Sequence, residues 1–213
     1  MSELAELDTI EQRILGVLLE KEKTVPDTYP MTVNGILTAC NQKSSRNPVM
    51  SLDQEMVQVG IDGLRSKGLM NTVAGGGSRT VKYKHNAPGN LDVDTNEEAV
   101  LCLLLLRGPL TSGEVNSNSG RLYDFENLES VQTCMNEMAS REVPLIQLLP
   151  KMSGQKEARY AHCLGGEIDI EALEEEENAA VAPVSNYEKR LSDLEQEVAE
   201  LKAKMEKLND LLD

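Results

Sequence analysis

The residues best suited to binding chemistry are cations, hydroxyls and amides gathered between residues 43 and 84. They fall in a polar stretch, on one face of the helix predicted after it, and in a β-prone run further on. The candidates are Lys43, Ser44, Ser45, Arg46, Gln54, Gln58, Arg65, Arg79, Lys82 and Lys84. Cations and hydroxyls suit phosphate oxygens, whereas Gln can read adenine and Arg can read guanine in the major groove. The pattern predicts that this region binds double-stranded DNA.

Residues able to support enzyme chemistry or metal binding are sparse. The two histidines, His85 and His162, each stand two positions after a tyrosine, and equivalent places in a repeat favour a structural role. Cys40, Cys102 and Cys134 fall within apolar or helical patterns, which is typical of buried thiols in a reduced compartment. The sequence contains no P-loop, dinucleotide-binding fingerprint or nucleophile elbow. We therefore expect no enzymatic activity, no cofactor and no metal site.

The formal net charge of −15 is unevenly distributed along the chain. Residues 1–86 contain ten Lys and Arg against ten Asp and Glu, residues 87–165 six against eleven, and residues 166–213 five against fifteen. The first segment can therefore present a local basic patch despite the acidic total. No apolar run reaches the roughly 18–20 residues that a membrane span needs, and the acidic N terminus does not resemble a signal peptide. We expect a cytoplasmic protein without a membrane partner.

Three helices and a hairpin are predicted in residues 1–86. The helices cover about residues 8–23, 31–41 and 52–67, the first opens with a capping box, and Gly68 ends the third. The side chains that the third helix is predicted to bury are Met56, Val57, Ile61 and Leu64. Two β-prone runs around a glycine-rich turn follow as a hairpin. This is the order of a winged helix, a helix-turn-helix variant whose third helix enters the major groove.

The same pattern returns in residues 87–165. Thr9-x-Glu11 and the apolar positions after it recur from Thr95-x-Glu97, and the Tyr-x-His of the hairpin recurs at residues 160–162. Ordered matches of this kind indicate an internal repeat. We predict a mainly α-helical α+β fold with small β-wings, built from two tandem winged-helix domains at residues 1–86 and 87–165. Residues 86–90 are predicted to link them, because their composition is typical of a linker.

The C-terminal part is predicted to hold an acidic linker and a coiled coil. Residues 166–186 include a run of four glutamates typical of a solvated segment, and residues 187–213 repeat apolar positions by four and three. The dimerisation candidates are Leu191, Leu194, Val198, Leu201, Met205 and Leu208. We predict a short parallel coiled coil that forms a homodimer. The alternative is an amphipathic helix that packs on the protein's own domains.

Three stretches of the sequence resemble the YceH-like bacterial proteins. They are Tyr-Pro-Met-Thr-x-Asn at residues 29–34, Ala-Cys-Asn-Gln-Lys-Ser-Ser-Arg-x-Pro-Val at 39–49, and Gly-Gln-Lys-Glu-Ala-Arg-Tyr-Ala-His at 154–162. The resemblance covers about residues 7–164 and implies tandem winged-helix domains, but the family brings no established activity. The chain departs from the family pattern at residues 115–121, where the family is richer in arginine. This departure weakens any expectation that the second domain binds DNA.

Two functions remain open on the sequence. The first is a regulatory DNA-binding protein whose first domain meets the duplex through its polar turn, third helix and wing. The second is a protein-interaction scaffold that does not touch DNA, since carboxylates on the third helix repel phosphate. Lys43 and Arg46 distinguish the two: as phosphate contacts they should lie exposed beside Arg79 and Lys82, and as structural residues they should be paired with carboxylates.

Overall fold

Three helices followed by an antiparallel hairpin occur twice in the computed structural model, which describes residues 6–73, 80–151, 155–166, 168 and 170. The first set is α1 (Thr9–Thr24), α2 (Val33–Cys40), α3 (Gln54–Ser66), β1 (Met70–Val73) and β2 (Lys82–His85). A short helix, α4 (Ala87–Leu91), precedes the second set, which is α5 (Thr95–Arg107), α6 (Ser112–Ser119), α7 (Leu128–Ala139), β3 (Ile146–Leu148) and β4 (Tyr160–His162). The predicted mainly helical α+β class is confirmed.

Local sequence explains where the first helix of each repeat begins. The Asp8 carboxylate accepts hydrogen bonds from the Ile10 and Glu11 N–H groups, and the Glu11 carboxylate accepts the Asp8 N–H at 2.8 Å. Asp94 and Glu97 form the same capping box at α5. Such boxes satisfy N–H groups that the first helical turn leaves without partners. The predicted capping box of the first helix is confirmed.

The internal repeat extends to long-range ion pairs. Glu11 forms an ion pair with Lys67, which follows α3, and Glu97 accepts two hydrogen bonds of 2.7 Å from Arg141 Nη2, after α7. These pairs occupy equivalent places in the two repeats. Each one ties the start of a first helix to the end of a third helix, so the same charges cap one helix and hold the other.

Each hairpin is extended by a residue two positions before the second helix of its repeat. Met31 and Tyr83 exchange backbone hydrogen bonds of 2.9 and 2.7 Å, and Leu110 and Tyr160 exchange bonds of 3.0 and 2.8 Å. Strands β1 and β2 pair antiparallel, as do β3 and β4. The second strand of each hairpin therefore lies between the first strand and a backbone bridge.

Helices α1 and α5 pack against each other in a shared hydrophobic core. Leu18 of α1 and Leu104 of α5 are fully buried. A Cβ atom added to Gly16 would lie 2.9 Å from Leu106 Cδ2, so glycine allows the two helices to approach closely at this point. The helices and hairpins up to residue 168 form one compact unit.

Two local predictions are wrong. Residues 86–90 are not a linker, because most of them belong to α4, whose Ala87 and Leu91 are buried. Pro88 fits there because the first turn of a helix needs no N–H donor at that position. Met56 is 45% exposed, whereas the other predicted core residues of α3, Val57, Ile61 and Leu64, are fully buried.

Several predicted features lie outside the described residues. They are the glycine-rich tip of the first hairpin with Arg79, the acidic run at Glu174–Glu177, and the coiled coil at 187–213 with its dimerisation candidates. Within the described ranges, no helix combines the length and apolar character required to cross a membrane.

Candidate functional site

The loop between α2 and α3 contains Arg46. Its side chain is buried, which contradicts the prediction that it contacts phosphate. Its side chain is 0% exposed, and its guanidinium donates to both Glu20 carboxylate oxygens, at 3.1 and 2.7 Å. It also donates to the backbone carbonyls of Ala39 and Ser45 and to the Gln42 amide oxygen. Arg46 is a structural clamp of the loop, because its whole hydrogen-bonding capacity is directed inward.

A second buried arginine, Arg13 of α1, holds the same loop. Its Nη1 and Nη2 donate to the carbonyls of Cys40 and Pro48, at 3.4 and 2.6 Å. Burial lowers the pKa of Arg13, and the positive charge of Arg46 adds to that effect. The two guanidinium groups therefore bind carbonyls at the end of α2 and in the loop, groups that would otherwise lack a partner.

The clamped loop presents Lys43, Ser44 and Ser45 to solvent. Ser45 adopts a left-handed φ of 59°, and its Oγ accepts a 3.1 Å hydrogen bond from Arg107 at the end of α5. The Asn47 N–H donates at 2.8 Å to a carbonyl in the last turn of α5. Arg107 thus adds a cation beside Ser45. Arg107 was not among the predicted binding residues, because the sequence shows it only as a basic residue at the end of an apolar helix in the second repeat.

The predicted base-reading face of α3 is polar but largely paired within the helix. Asp62 accepts a 3.2 Å hydrogen bond from Gln58 and forms a 3.1 Å ion pair with Arg65. Gln54, in the first turn, is exposed. Of the three predicted base-reading side chains, the two later ones are therefore held by a carboxylate on their own helix.

The first hairpin separates its cations from its core residues. Alternation along β2 places Lys82 and Lys84 on the face opposite Tyr83 and His85, which are buried. Lys84 is exposed and Lys82 is half-buried. The hairpin therefore offers two lysines on one side of the first repeat.

The second repeat has fewer cations at the matching places. Helix α7 contains no Lys or Arg. Arg159, directly before β4, forms a 3.5 Å ion pair with Glu114 of α6. Lys151 and Lys156 are exposed. The third helix of this repeat therefore offers no cation to a ligand, whereas its hairpin region carries three.

The two equivalent histidines have different surroundings. His85 is buried, its Nε2 lies 3.1 Å from Glu22 Oε2, and its Nδ1 faces the Ala87 N–H at 3.4 Å. His162 Nδ1 is buried without a hydrogen-bond partner, and burial lowers the pKa of this imidazole to about 4. The predicted structural role with a satisfied imidazole therefore fits His85 but not Nδ1 of His162.

Around His85 the fold gathers charged groups that are far apart in sequence. Glu22 of α1, His85 of β2 and Glu98 of α5 each present one potential ligand atom, and these atoms all lie within 4.8 Å of one another. Lys23 Nζ lies 3.2 Å from Glu98 and 3.5 Å from Glu22. Tyr29 packs near the imidazole, and burial raises the pKa of its hydroxyl. The sequence expectation of no metal site did not foresee this cluster, because no local spacing announces it.

The predicted burial of three thiols is confirmed. Cys40, Cys102 and Cys134 are buried, and Cys163 is half-buried. Burial raises the pKa of the Cys40 and Cys134 thiols to about 12. At neutral pH these two groups are therefore protonated, and they act as small apolar side chains.

Comparisons with known proteins point to one family over most of the chain. A family model described as "Protein of unknown function, DUF480" matches residues 7–155. A UPF0502 protein of Shewanella pealeana is 45% identical over 213 residues, covering 95% of this chain and 98% of the relative. UPF0502 proteins of Vibrio atlanticus and Pelobacter propionicus are each 40% identical, covering 95% and 97% of this chain and 98% and 95% of the relatives. The chain belongs to this DUF480/UPF0502 family of uncharacterised bacterial proteins.

Proposed function

We propose that this protein binds double-stranded DNA through its first repeat, and that each repeat is a winged-helix domain. The order of α1, a backbone bridge at Met31, α2, α3 and a hairpin is that of the motif, as the YceH-like resemblance also implies. The observation that carries the proposal is the loop before α3, since two buried guanidinium groups fix it and its exposed part carries Lys43, Ser44 and Ser45. A loop already held in place loses little conformational freedom on binding.

The described side chains divide between phosphate contacts and base contacts. The proposed phosphate contacts are Lys43, Lys82, Lys84 and Arg107. Among base contacts, Gln54 is exposed, whereas Gln58 and Arg65 must leave Asp62 before they can reach a base edge. Phosphate contacts supply affinity and base contacts supply specificity. We therefore expect affinity that depends steeply on salt, with modest discrimination among sequences.

Binding of the full-length protein to a fluorescent DNA duplex across a salt series tests the proposal. The test variant is Lys43→Ala/Lys84→Ala, and the matched control is Lys151→Ala/Lys156→Ala in the second repeat, which removes the same charge. Because each phosphate contact contributes a slope of about 0.9 in a plot of log K against log salt, the test variant should reduce the slope by about 2. The control should leave the slope unchanged.

Two outcomes contradict the proposal. Absence of binding at low salt excludes a DNA-binding function for the first repeat. An equal loss of slope in both double variants also contradicts it, because the slope then follows the total charge of the protein and not contacts made by the first repeat.

A second candidate function, docking of a protein partner, is favoured by the surface of α3. Met56 and Val59 are 45% and 65% exposed, and the carboxylates Glu55 and Asp62 occupy exposed positions of the same helix. Exposed apolar side chains next to carboxylates suit a protein surface better than a phosphate backbone. Val59→Lys separates the candidates, because it should strengthen DNA binding by adding a cation but weaken an apolar protein contact.

We also propose a homodimer through residues 187–213, on the strength of their heptad pattern alone. Sedimentation of the full-length chain and of a chain truncated after Asn186 tests this proposal. A halved mass after truncation supports the dimer. An unchanged number of subunits contradicts it and favours packing of that segment on its own chain.

A further inference from the structure

We propose that Glu22, His85 and Glu98 form a binding site for one first-row divalent cation, with Zn²⁺ as the best chemical match. The three residues come from α1, β2 and α5, so the site joins the two repeats. It is separate from the DNA-binding surface proposed above, and either proposal can fail without the other.

The ligand set is one imidazole and two carboxylates. Their potential ligand atoms lie within 4.8 Å of one another, a separation that small side-chain movements can close to a coordination sphere. Zn²⁺ binds His nitrogen and carboxylate oxygen at about 2.0–2.2 Å in four-coordinate sites. Mg²⁺ and Ca²⁺ prefer shells made only of oxygen ligands, so the imidazole favours a transition metal or zinc.

The second observation is a carboxylate oxygen without a partner. Glu98 is 5% exposed, and its Oε1 is buried with no hydrogen-bond partner. Its other oxygen lies 3.2 Å from Lys23 Nζ. Leaving a buried acceptor unpaired costs about 1–3 kcal/mol, and more when the group is charged. A cation bound through Oε1 of Glu98 would satisfy this oxygen.

Charge balance points in the same direction. The cluster holds two carboxylates, Glu22 and Glu98, against one ammonium group, that of Lys23, which serves both. A divalent ion carries the charge that matches two carboxylates, and Lys23, whose side chain is 29% exposed, can turn outward to solvent. In the protein as described, Lys23 is therefore a built-in competitor for the site.

Binding also requires a rearrangement of one proton. The Ala87 N–H faces His85 Nδ1 at 3.4 Å, so the neutral imidazole carries its proton on Nε2 and donates to Glu22. A metal at Nε2 moves that proton to Nδ1 and breaks the contact with Ala87. This contact is long and weak, so its loss reduces the affinity without blocking the site.

Calorimetric titration of the full-length protein with Zn²⁺ tests the inference. All variants carry Cys163→Ser, since this half-buried thiol is another possible ligand. We expect one Zn²⁺ per chain. Glu98→Gln should raise the Kd by at least the roughly 10- to 100-fold cost of removing an outer-shell partner. Glu137→Gln, an exposed residue of α7, is the matched control and should leave the Kd unchanged.

The direction in which Lys23→Met changes the Kd for Zn²⁺ is the decisive result. Removing the competing ammonium group should lower the Kd by about fivefold, since a partly exposed cation competes modestly at this range. General loss of structure cannot tighten binding, so this variant guards against misfolding of Glu98→Gln. The inference is overturned by a failure of the parent to bind one Zn²⁺, by equal binding of Glu98→Gln and the parent, or by weaker binding of Lys23→Met.

Discussion

Replacing Arg46 with methionine should destabilise the protein strongly, although the sequence places this residue in a polar surface loop. Methionine roughly keeps the length of the side chain and removes its charge and all its donors. The Glu20 carboxylate would lose two hydrogen bonds, of 3.1 and 2.7 Å, and the Ala39 and Ser45 carbonyls would lose their guanidinium donors. The substitution therefore leaves one charged and several neutral acceptors unsatisfied.

The magnitude follows from burial. Removing one partner of a buried ion pair costs about 3–5 kcal/mol, mainly because the remaining charge stays uncompensated. Here the lower end applies, since the Glu20 side chain keeps 16% exposure and a 2.9 Å ion pair with Lys21. We expect a loss of about 3 kcal/mol in the free energy of unfolding. For a chain of this size, that corresponds to a fall of about 6–12 °C in Tm.

Urea unfolding of the parent and the variant measures this loss. Arg65→Met is the matched control, because its ion pair with Asp62 is 45% and 54% exposed and should contribute only about 0–1 kcal/mol. The double variant Glu20→Met/Arg46→Met should recover part of the loss, since it removes both charges together. A loss below about 1 kcal/mol for Arg46→Met, or one equal to that of the control, would refute the structural role of Arg46.

Three further predictions concern pH and packing. Burial opposes ionisation of Glu20, but hydrogen bonds from Arg46 and Lys21 outweigh it and lower its pKa. The free energy of unfolding should therefore fall as the pH drops below 4.5, and Glu20→Gln should reduce this fall. The lowered pKa of His162 makes the folded state bind a proton less readily than the unfolded chain. The contribution of neutral His162 to the free energy of unfolding should therefore be fully present above pH 6.5 and be lost as the pH falls towards about 4. His162→Leu should remove this decline in the same pH series. Gly16→Val should cost about 1–3 kcal/mol in urea unfolding, because it forces α1 away from α5. Gly113→Val should not, because a Cβ added there would meet only Thr111 Oγ1, at an ordinary 3.9 Å.

Local sequence patterns were enough to predict the three longer helices of the first repeat and the repeat itself, although not α4. The capping box at Asp8 and the buried positions Val57, Ile61 and Leu64 of α3 follow from spacing that acts over a single helix. Gly68 ends α3 with a φ of 73°, as predicted, because only glycine adopts this conformation without strain. These features depend on residues that are neighbours in the chain.

Features that depend on distant partners could not be predicted in the same way. Arg46 was assigned to the surface because it lies among polar residues, yet its partner Glu20 is on another helix. The assembly of Glu22, His85 and Glu98 requires three separate elements to meet. Charge type is visible in a sequence, but the direction in which a charged side chain turns is set by tertiary packing.

The same packing makes the proposed DNA contact depend on both repeats. Asn41 exchanges two 2.8 Å hydrogen bonds with the Leu52 backbone and so closes the loop within the first repeat. Asn47 and Arg107 then fasten the loop to the end of α5, in the second repeat. Since α5 also packs on α1 in the shared core, the second repeat supports the loop even though its own third helix lacks cations. Removing the second repeat should therefore abolish the proposed contact by releasing the loop, and not by removing a second reading helix.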